Sequence, residues 1–143
     1  MSTTEVPLIS VVDDDRSVVE ATVSLLESVG YTTQGFRSAE DFLASPQLCG
    51  TACLILDVRM PGMQGLELQR RLAVVRDHPP IVFITGHGDH DVSAEALRNG
   101  AVALLRKPFS QESLLDAVRS ALASRGEAAE SLAAGGEGPR NAR

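Results

Sequence analysis

Five consecutive apolar residues, Ala52-Cys53-Leu54-Ile55-Leu56, run unbroken into a carboxylate, Asp57. A short apolar run bounded by turn residues reads as a strand buried on both faces, the kind a parallel sheet uses. The chain after Asp57 cannot continue that strand, because Pro61, Gly62 and Gly65 interrupt it. Leu66, Leu68, Leu72 and Val75 then recur at helical spacing. Asp57 is therefore expected at the carboxyl end of a central strand, before a strand-to-helix loop. In open α/β sheets that edge is where ligands bind. The plainer role for Asp57, capping or solvating a loop, has to be weighed against what the other strands end in.

The rest of the chain repeats the same unit. Leu8 to Val12 reads as a first strand, followed by a helix from about Arg16 to Val29 whose stripe is Val19, Val23, Leu26 and Val29, with Gly30 as its stop. Tyr31 to Phe36 is a weaker strand, diluted by Gln34 and Gly35 and so expected at an edge. Ser38 starts a short helix with Asp41 three positions on. Cys49 to Asp57 is the third strand with its lead-in, and a helix follows from about Gly65 to Arg76, ended by Asp77-His-Pro-Pro80. Ile81 to Thr85 is the fourth strand, about Val92 to Arg98 a helix, and Ala101 to Leu105 the fifth strand. Ser110 caps a last helix with Leu114, Leu115, Val118 and Leu122 as its stripe. Alternating strands and helices predict a parallel sheet covered on both faces, with right-handed crossovers. Five such units suit the α/β doubly wound order 2-1-3-4-5 of flavodoxin-like folds. The domain is expected over 1–124, with a disordered Ala-, Gly- and Glu-rich tail over 125–143.

Composition removes several function classes. The net charge is −6 and the pI about 5.0, which argues against non-specific nucleic-acid binding. Aromatics make up 3% of the chain, too few for base stacking on exposed rings. No apolar stretch approaches the roughly 20 residues of a membrane-spanning helix. The start of the chain has neither the basic beginning nor the apolar core of a signal peptide. Cys49 and Cys53 are too few for a disulfide framework, and no His or third Cys lies near them for a metal site. A reducing cytoplasm is the expected compartment.

The strand ends collect the polar chemistry. Strand one ends in Asp13-Asp14-Asp15, strand three in Asp57, strand four in Thr85, and strand five runs into Lys107-Pro108. All four land on one edge of a parallel sheet. Two carboxylates about 4 Å apart repel by about 4 kcal/mol at an effective dielectric near 20, so such a cluster must protonate or hold a cation. Hard carboxylate oxygens and a backbone carbonyl suit Mg²⁺, with Mn²⁺ as a substitute. A divalent ion attracts phosphate oxygens, to which Thr85 can donate a hydrogen bond and Lys107 can offer a compact charge. The chain has twelve Arg and a single Lys. With Arg106 adjacent, positive charge alone does not explain a lysine at 107. Proline also lowers the cost of a cis peptide at Lys107-Pro108.

The motifs Val11-Val-Asp-Asp-Asp15, Leu56-Asp-Val-Arg-Met-Pro-Gly-Met-Gln-Gly65, Ile84-Thr-Gly-His-Gly-Asp89, Gly100-Ala-Val102 and Lys107-Pro-Phe109 resemble the receiver domain of bacterial two-component response regulators, in the form found in FixJ-type and NtrC-type receivers. The resemblance covers about Pro7 to Ser124. It implies that Asp57 accepts a phosphoryl group from a histidine kinase or phosphotransfer protein. It further implies that Asp14, helped by Asp13, holds Mg²⁺ with Asp57 and the carbonyl oxygen of Arg59, and that Thr85 and Lys107 bind the phosphoryl oxygens. Asp15 has no such role and is expected to serve the start of the first helix. Many receivers carry an aromatic three residues before the lysine; here that residue is Leu104, which has no ring to turn inward. FixJ-like receivers pair through the fourth helix and fifth strand when phosphorylated, so a homodimer through that surface is implied, with the glycine-bearing loop 86–90 free to move.

Other readings are weaker. Asp13-Asp-Asp-Arg-Ser17 satisfies the Asp-x-Asp-x-Ser pattern of a haloacid dehalogenase-type phosphatase, with Asp13 as nucleophile and Asp15 as acid–base. That reading lacks a cap domain and a second acidic pair, and leaves Asp57 without a role. A pseudo-receiver is opposed by the complete set of acids, threonine and lysine. No enzymatic activity is expected beyond slow loss of the phosphoryl group. His87 and His90 suit a solvated loop better than a metal pair, and Arg70, Arg71 and Arg76 read as a solvated helix face. Such receivers often precede a DNA-binding domain, and the roughly twenty residues after Ser124 are too few for one, so the chain is expected to be either a stand-alone receiver or the N-terminal fragment of a transcription factor.

Overall fold

Parallel pairing joins Leu8–Val12 (β1) to Thr32–Phe36 (β2) on one side and to Thr51–Asp57 (β3) on the other. Ile81–Thr85 (β4) pairs with β3, and Ala103–Arg106 (β5) pairs with β4, giving the sheet order β2-β1-β3-β4-β5. This is the predicted order 2-1-3-4-5, in which β1 and β3 are neighbours and the chain reverses direction between them. The structure is a computed structural model that describes residues 6–86 and 89–133, with side chains through Arg125.

Every residue of β3 is buried, because its side chains feed two cores alternately. Cys53 and Ile55 join Ile9, Val11, Val82 and Ile84 beneath the helices Arg16–Ser28 (α1) and Gln111–Ala133 (α5). Leu54 and Leu56 join Val12 and Phe83 on the other face, under Ala39–Leu43 (α2), Gly65–Leu72 (α3) and His90–Arg98 (α4). Burying each of these large side chains contributes about 1.5–3 kcal/mol. Phe42 of α2 meets Phe36 of β2 edge-to-face, with ring centroids 5.3 Å apart, so the edge strand is covered as well as paired.

Local chemistry sets the helix ends. Asp15 is the N-cap of α1, its carboxylate accepting from the Ser17 and Val18 amides. Gly30 closes that helix with φ +103°, a conformation that favours glycine. The Ser38 hydroxyl caps α2 by accepting from the Asp41 amide. Helix α3 is shorter than its apolar spacing predicts, ending at Leu72 rather than Arg76. The Val75 amide turns back to the Leu72 carbonyl, and Asp77 adopts φ +58° ahead of Pro79-Pro80, so the last residues form turns. Helix α4 begins at His90, two residues earlier than expected. Strand β5 starts at Ala103 rather than Ala101 and includes Arg106.

The backbone of α5 runs to Ala133, past the expected start of the tail at 125. Alanine and glutamate are strong helix formers, so the backbone extends the helix without an apolar stripe to announce it. The remainder of that tail, 134–143, and His87 lie outside the described residues.

Candidate functional site

The carboxyl edge of the sheet gathers the predicted residues. The Asp13 amide donates to the Phe36 carbonyl, which pins the residue just past β1 against the end of β2. Its side chain is buried. Oδ1 accepts from the Asp15 amide at 2.9 Å, whereas Oδ2 has no hydrogen-bond partner. Asp57 closes β3, 7% exposed, its Oδ1 facing the Arg59 amide at a long 3.4 Å. Exposed Asp14 completes the group, and carboxylate oxygens of Asp13, Asp14 and Asp57 lie within 4.8 Å of one another. Lys107 Nζ reaches this cluster from the other side, 3.7 Å from Asp13 Oδ2 and 3.8 Å from Asp57 Oδ2.

Thr85 and Lys107 come together through the backbone. Thr85 pairs with Arg106 across β4 and β5, and the Lys107 amide donates to the Thr85 carbonyl at 2.8 Å. The peptide from Lys107 to Pro108 is cis. Gly65 supports the loop after Asp57 from below. A Cβ on it would lie 2.6 Å from the Asp57 carbonyl oxygen and 3.0 Å from Val58 Cα, so the start of α3 can approach β3 this closely only without a side chain.

The electrostatics follow from burial and crowding. Burial is the first cause pushing the Asp57 carboxyl up to about 7, and the negative charge of Asp13 is the second; Lys107 and the Arg59 amide oppose them. A cluster of three acids facing one ammonium leaves negative charge uncompensated. The oxygen donors, the orphaned Asp13 Oδ2 and the lack of nearby nitrogen or sulfur ligands among the described residues fit a hard divalent cation. Asp15 stands apart from that cluster as a helix cap, as its sequence position implied. Its carboxyl is held below the usual range, chiefly by the Ser17 hydroxyl.

Two sets of residues escaped the sequence reading. Glu40 of α2 accepts from the Met63 amide at 3.1 Å, and Gln64 accepts from the Met60 amide at 3.3 Å, bracing the loop after Asp57. Asp89, buried before α4, pairs with Arg59 at 2.6 Å and accepts from the Gly86 amide at 3.0 Å. Its carboxyl is lowered, chiefly by the Arg59 hydrogen bond. An acid just before a helix is a capping signal that could have marked position 89; nothing in the sequence pairs it with Arg59, thirty residues away. His90 is exposed at the first turn of α4. Arg70 and Arg71 are exposed on α3, in ion pairs with Glu95 and Glu67, and Arg76 is exposed beyond it. Two grooves flank the fold. One of about 630 Å³ opens at the amino-terminal edge of the strands, beside His78, Pro80 and Asn99, away from the acids. The other, about 680 Å³, lies between α1 and the start of α5 and borders Lys107.

The family model of the response regulator receiver domain matches residues 9–119. The chain belongs to that family. It is a receiver of the two-component type, with the sheet order of its solved relatives. The receiver is 47% identical over 115 residues to the response regulator protein TmoT of Ectopseudomonas mendocina, a match covering 80% of this chain and 52% of TmoT. It is 38% identical over 125 residues to the transcriptional regulatory protein FixJ of Bradyrhizobium diazoefficiens, covering 87% of this chain and 61% of FixJ. The solved structure of the response regulator StyR superposes with a TM-score of 0.81 at 43% identity, over 88% of this chain and 64% of that one. The receiver spans about half the length of the first of these relatives. No helix among the described residues is long and apolar enough to cross a membrane.

Proposed function

We propose that Asp57 is the phosphoacceptor of this receiver and that its phosphorylation switches a protein-interaction surface. The observation that carries the reading is the position of Asp57, buried at the end of the central strand with Asp13, Asp14 and Lys107 around it. A histidine kinase or a phosphotransfer protein is the proposed donor. An Asp57 carboxylate oxygen forms a bond to phosphorus as the phosphorus–nitrogen bond of a phosphohistidine breaks, and the electron pair leaves with the imidazole. Lys107 stabilises the ionised, nucleophilic form of Asp57 from 3.8 Å. The Thr85 hydroxyl and the Lys107 ammonium then bind phosphoryl oxygens.

Asp13, Asp14, Asp57 and the carbonyl oxygen of Arg59 would hold Mg²⁺, or Mn²⁺ in its place. When bound, such an ion supplies the positive charge that offsets the repulsion among the carboxylates and attracts phosphoryl oxygens. The receiver's own chemistry is limited to taking the phosphoryl group and slowly losing it to water. Its two cysteines are free thiols, in keeping with a proposed cytoplasmic location.

The output surface we propose is α4 with β5, where a second copy of the receiver binds after phosphorylation. Support comes from connectivity: Thr85 leads toward α4, Lys107 follows β5, and Leu97 on α4 is half exposed. The relatives named as transcriptional regulatory proteins favour a transcriptional output for the whole protein.

Acetyl phosphate and Mg²⁺ should add one phosphate, read by intact mass, and Asp57→Asn should take none. Uptake of the same phosphate by Asp57→Asn would overturn the assignment. Repeated turnover of p-nitrophenyl phosphate would instead mark a phosphatase.

A further inference from the structure

The Asp89 carboxylate is 5% exposed, and its two oxygens serve two different loops. Oδ1 takes the Arg59 Nε at 2.6 Å, from the loop that follows the acceptor strand. Oδ2 takes the Gly86 amide at 3.0 Å, directly after Thr85. Asp89 also occupies the N-cap position of α4, yet its side chain makes no capping bond to that helix. An aspartate there ordinarily accepts from the second or third helical amide. Here Arg59 and Gly86 hold the carboxylate away from the helix it precedes.

We infer that Arg59 is a phosphoryl-binding residue held in reserve by Asp89, and that it changes partners when Asp57 is phosphorylated, which frees Asp89 to cap α4. The inference rests on Asp57 being the acceptor. Arg59 is two residues from Asp57 and already turns its amide toward that carboxylate. Its side chain is 62% exposed, so it can reorient through solvent. A guanidinium matches the oxygens of a phosphoryl group with parallel hydrogen bonds, and that group carries more charge than the carboxylate it leaves. Asp89 is not stranded by the exchange. It keeps the Gly86 amide, gains the open amides of α4, and feels a second cation, Arg106, which sits across from Thr85 in the sheet. The exchange gives this receiver a route from Asp57 to α4 that needs no aromatic at position 104. Leu104 lies partly buried against the α4-side core and has no ring to move.

The test is a double-mutant cycle on the affinity for beryllofluoride in the presence of Mg²⁺, measured by calorimetry on the full chain. Arg59→Ala should weaken binding about tenfold, the loss of one charge-assisted contact, and Arg59→Lys should recover part of it. Asp89→Asn keeps an acceptor for the Gly86 amide but releases the guanidinium. It should tighten binding with Arg59 present and change nothing in the Arg59→Ala background. Equal affinities for the wild type and Arg59→Ala, or the same effect of Asp89→Asn in both backgrounds, would overturn the partner exchange. A structural defect is separated by far-ultraviolet circular dichroism and a single cooperative urea transition, which all three variants should retain. Asp57→Asn serves as the control for the underlying reading: if it binds beryllofluoride as the wild type does, the acceptor assignment is at fault.

Discussion

The Asp13 carboxylate is, after burial itself, the strongest influence holding the Asp57 carboxyl protonated, and the two together push that group up to about 7. Asp57 is thus poised to ionise near neutral pH, and the metal-free fold carries an internal repulsion whenever it does.

The sign of that repulsion is testable by stability. A carboxyl raised on folding stabilises the fold below its unfolded value, 3.8, and the contribution is lost as pH rises through about 7. In metal-free buffer, Asp57→Asn should therefore be more stable than the wild type at pH 8, by at most about 4 kcal/mol. The gap should narrow toward pH 5. Urea unfolding at both pH values checks this; equal stabilities at pH 8 would contradict it.

Metal binding should relieve the same repulsion. Mg²⁺ should raise the melting temperature of the wild type at pH 8 in a concentration-dependent way. Asp14→Ala should abolish most of that rise while leaving the metal-free protein folded, because Asp14 is exposed. An undiminished rise in Asp14→Ala would place the ion elsewhere.

Gly65→Ala should damage both fold and site. The added Cβ meets backbone atoms, which cannot swing aside as a side chain would. The expected loss is on the order of 2 kcal/mol, as for other overpacked positions, together with slower phosphate uptake from acetyl phosphate. Denaturant midpoints and intact mass over time read the two effects separately.

Asp15→Ala should lower the melting temperature at neutral pH by removing the cap of α1. The Asp15 carboxyl is lowered in the fold, so its contribution is present above its ordinary range and lost on acidification. The difference from the wild type should vanish at strongly acid pH, and phosphate uptake should be unchanged. A melting temperature unaffected at pH 7 would remove Asp15 from the helix cap.

Four of the strands were legible because each is a short apolar run that stops at a polar residue or a turn, while β2 showed only as a diluted edge strand; the acids, Thr85 and Lys107 could be placed from strand ends alone. The helices were legible in their stripes but not in their ends. Helix α3 stops at Leu72, where the Val75 amide turns back to the Leu72 carbonyl, whereas Val75 keeps the helical spacing and partial burial. Helix α5 runs on to Ala133 through residues with no stripe to read. The Arg59–Asp89 pair was invisible for a different reason. Its partners lie on separate loops, and neither loop's composition specifies how the side chains cross between them.

Asp13, Asp14, Asp57 and Lys107 sit at one rim of the sheet, while the turns at 46–50, 77–80 and 99–102 sit at the other. This separation makes the domain tolerant to redesign. A circular permutant opened at the Asp77-to-Pro79 turn, or an insert placed there, alters chain connectivity far from Asp57. A single-residue deletion between Asp57 and Gly65 instead alters the loop that Gly65 and Glu40 brace beside Asp57. Length variation among natural or engineered versions should therefore accumulate at the rim of these turns, with the rim that carries the acids kept at fixed length.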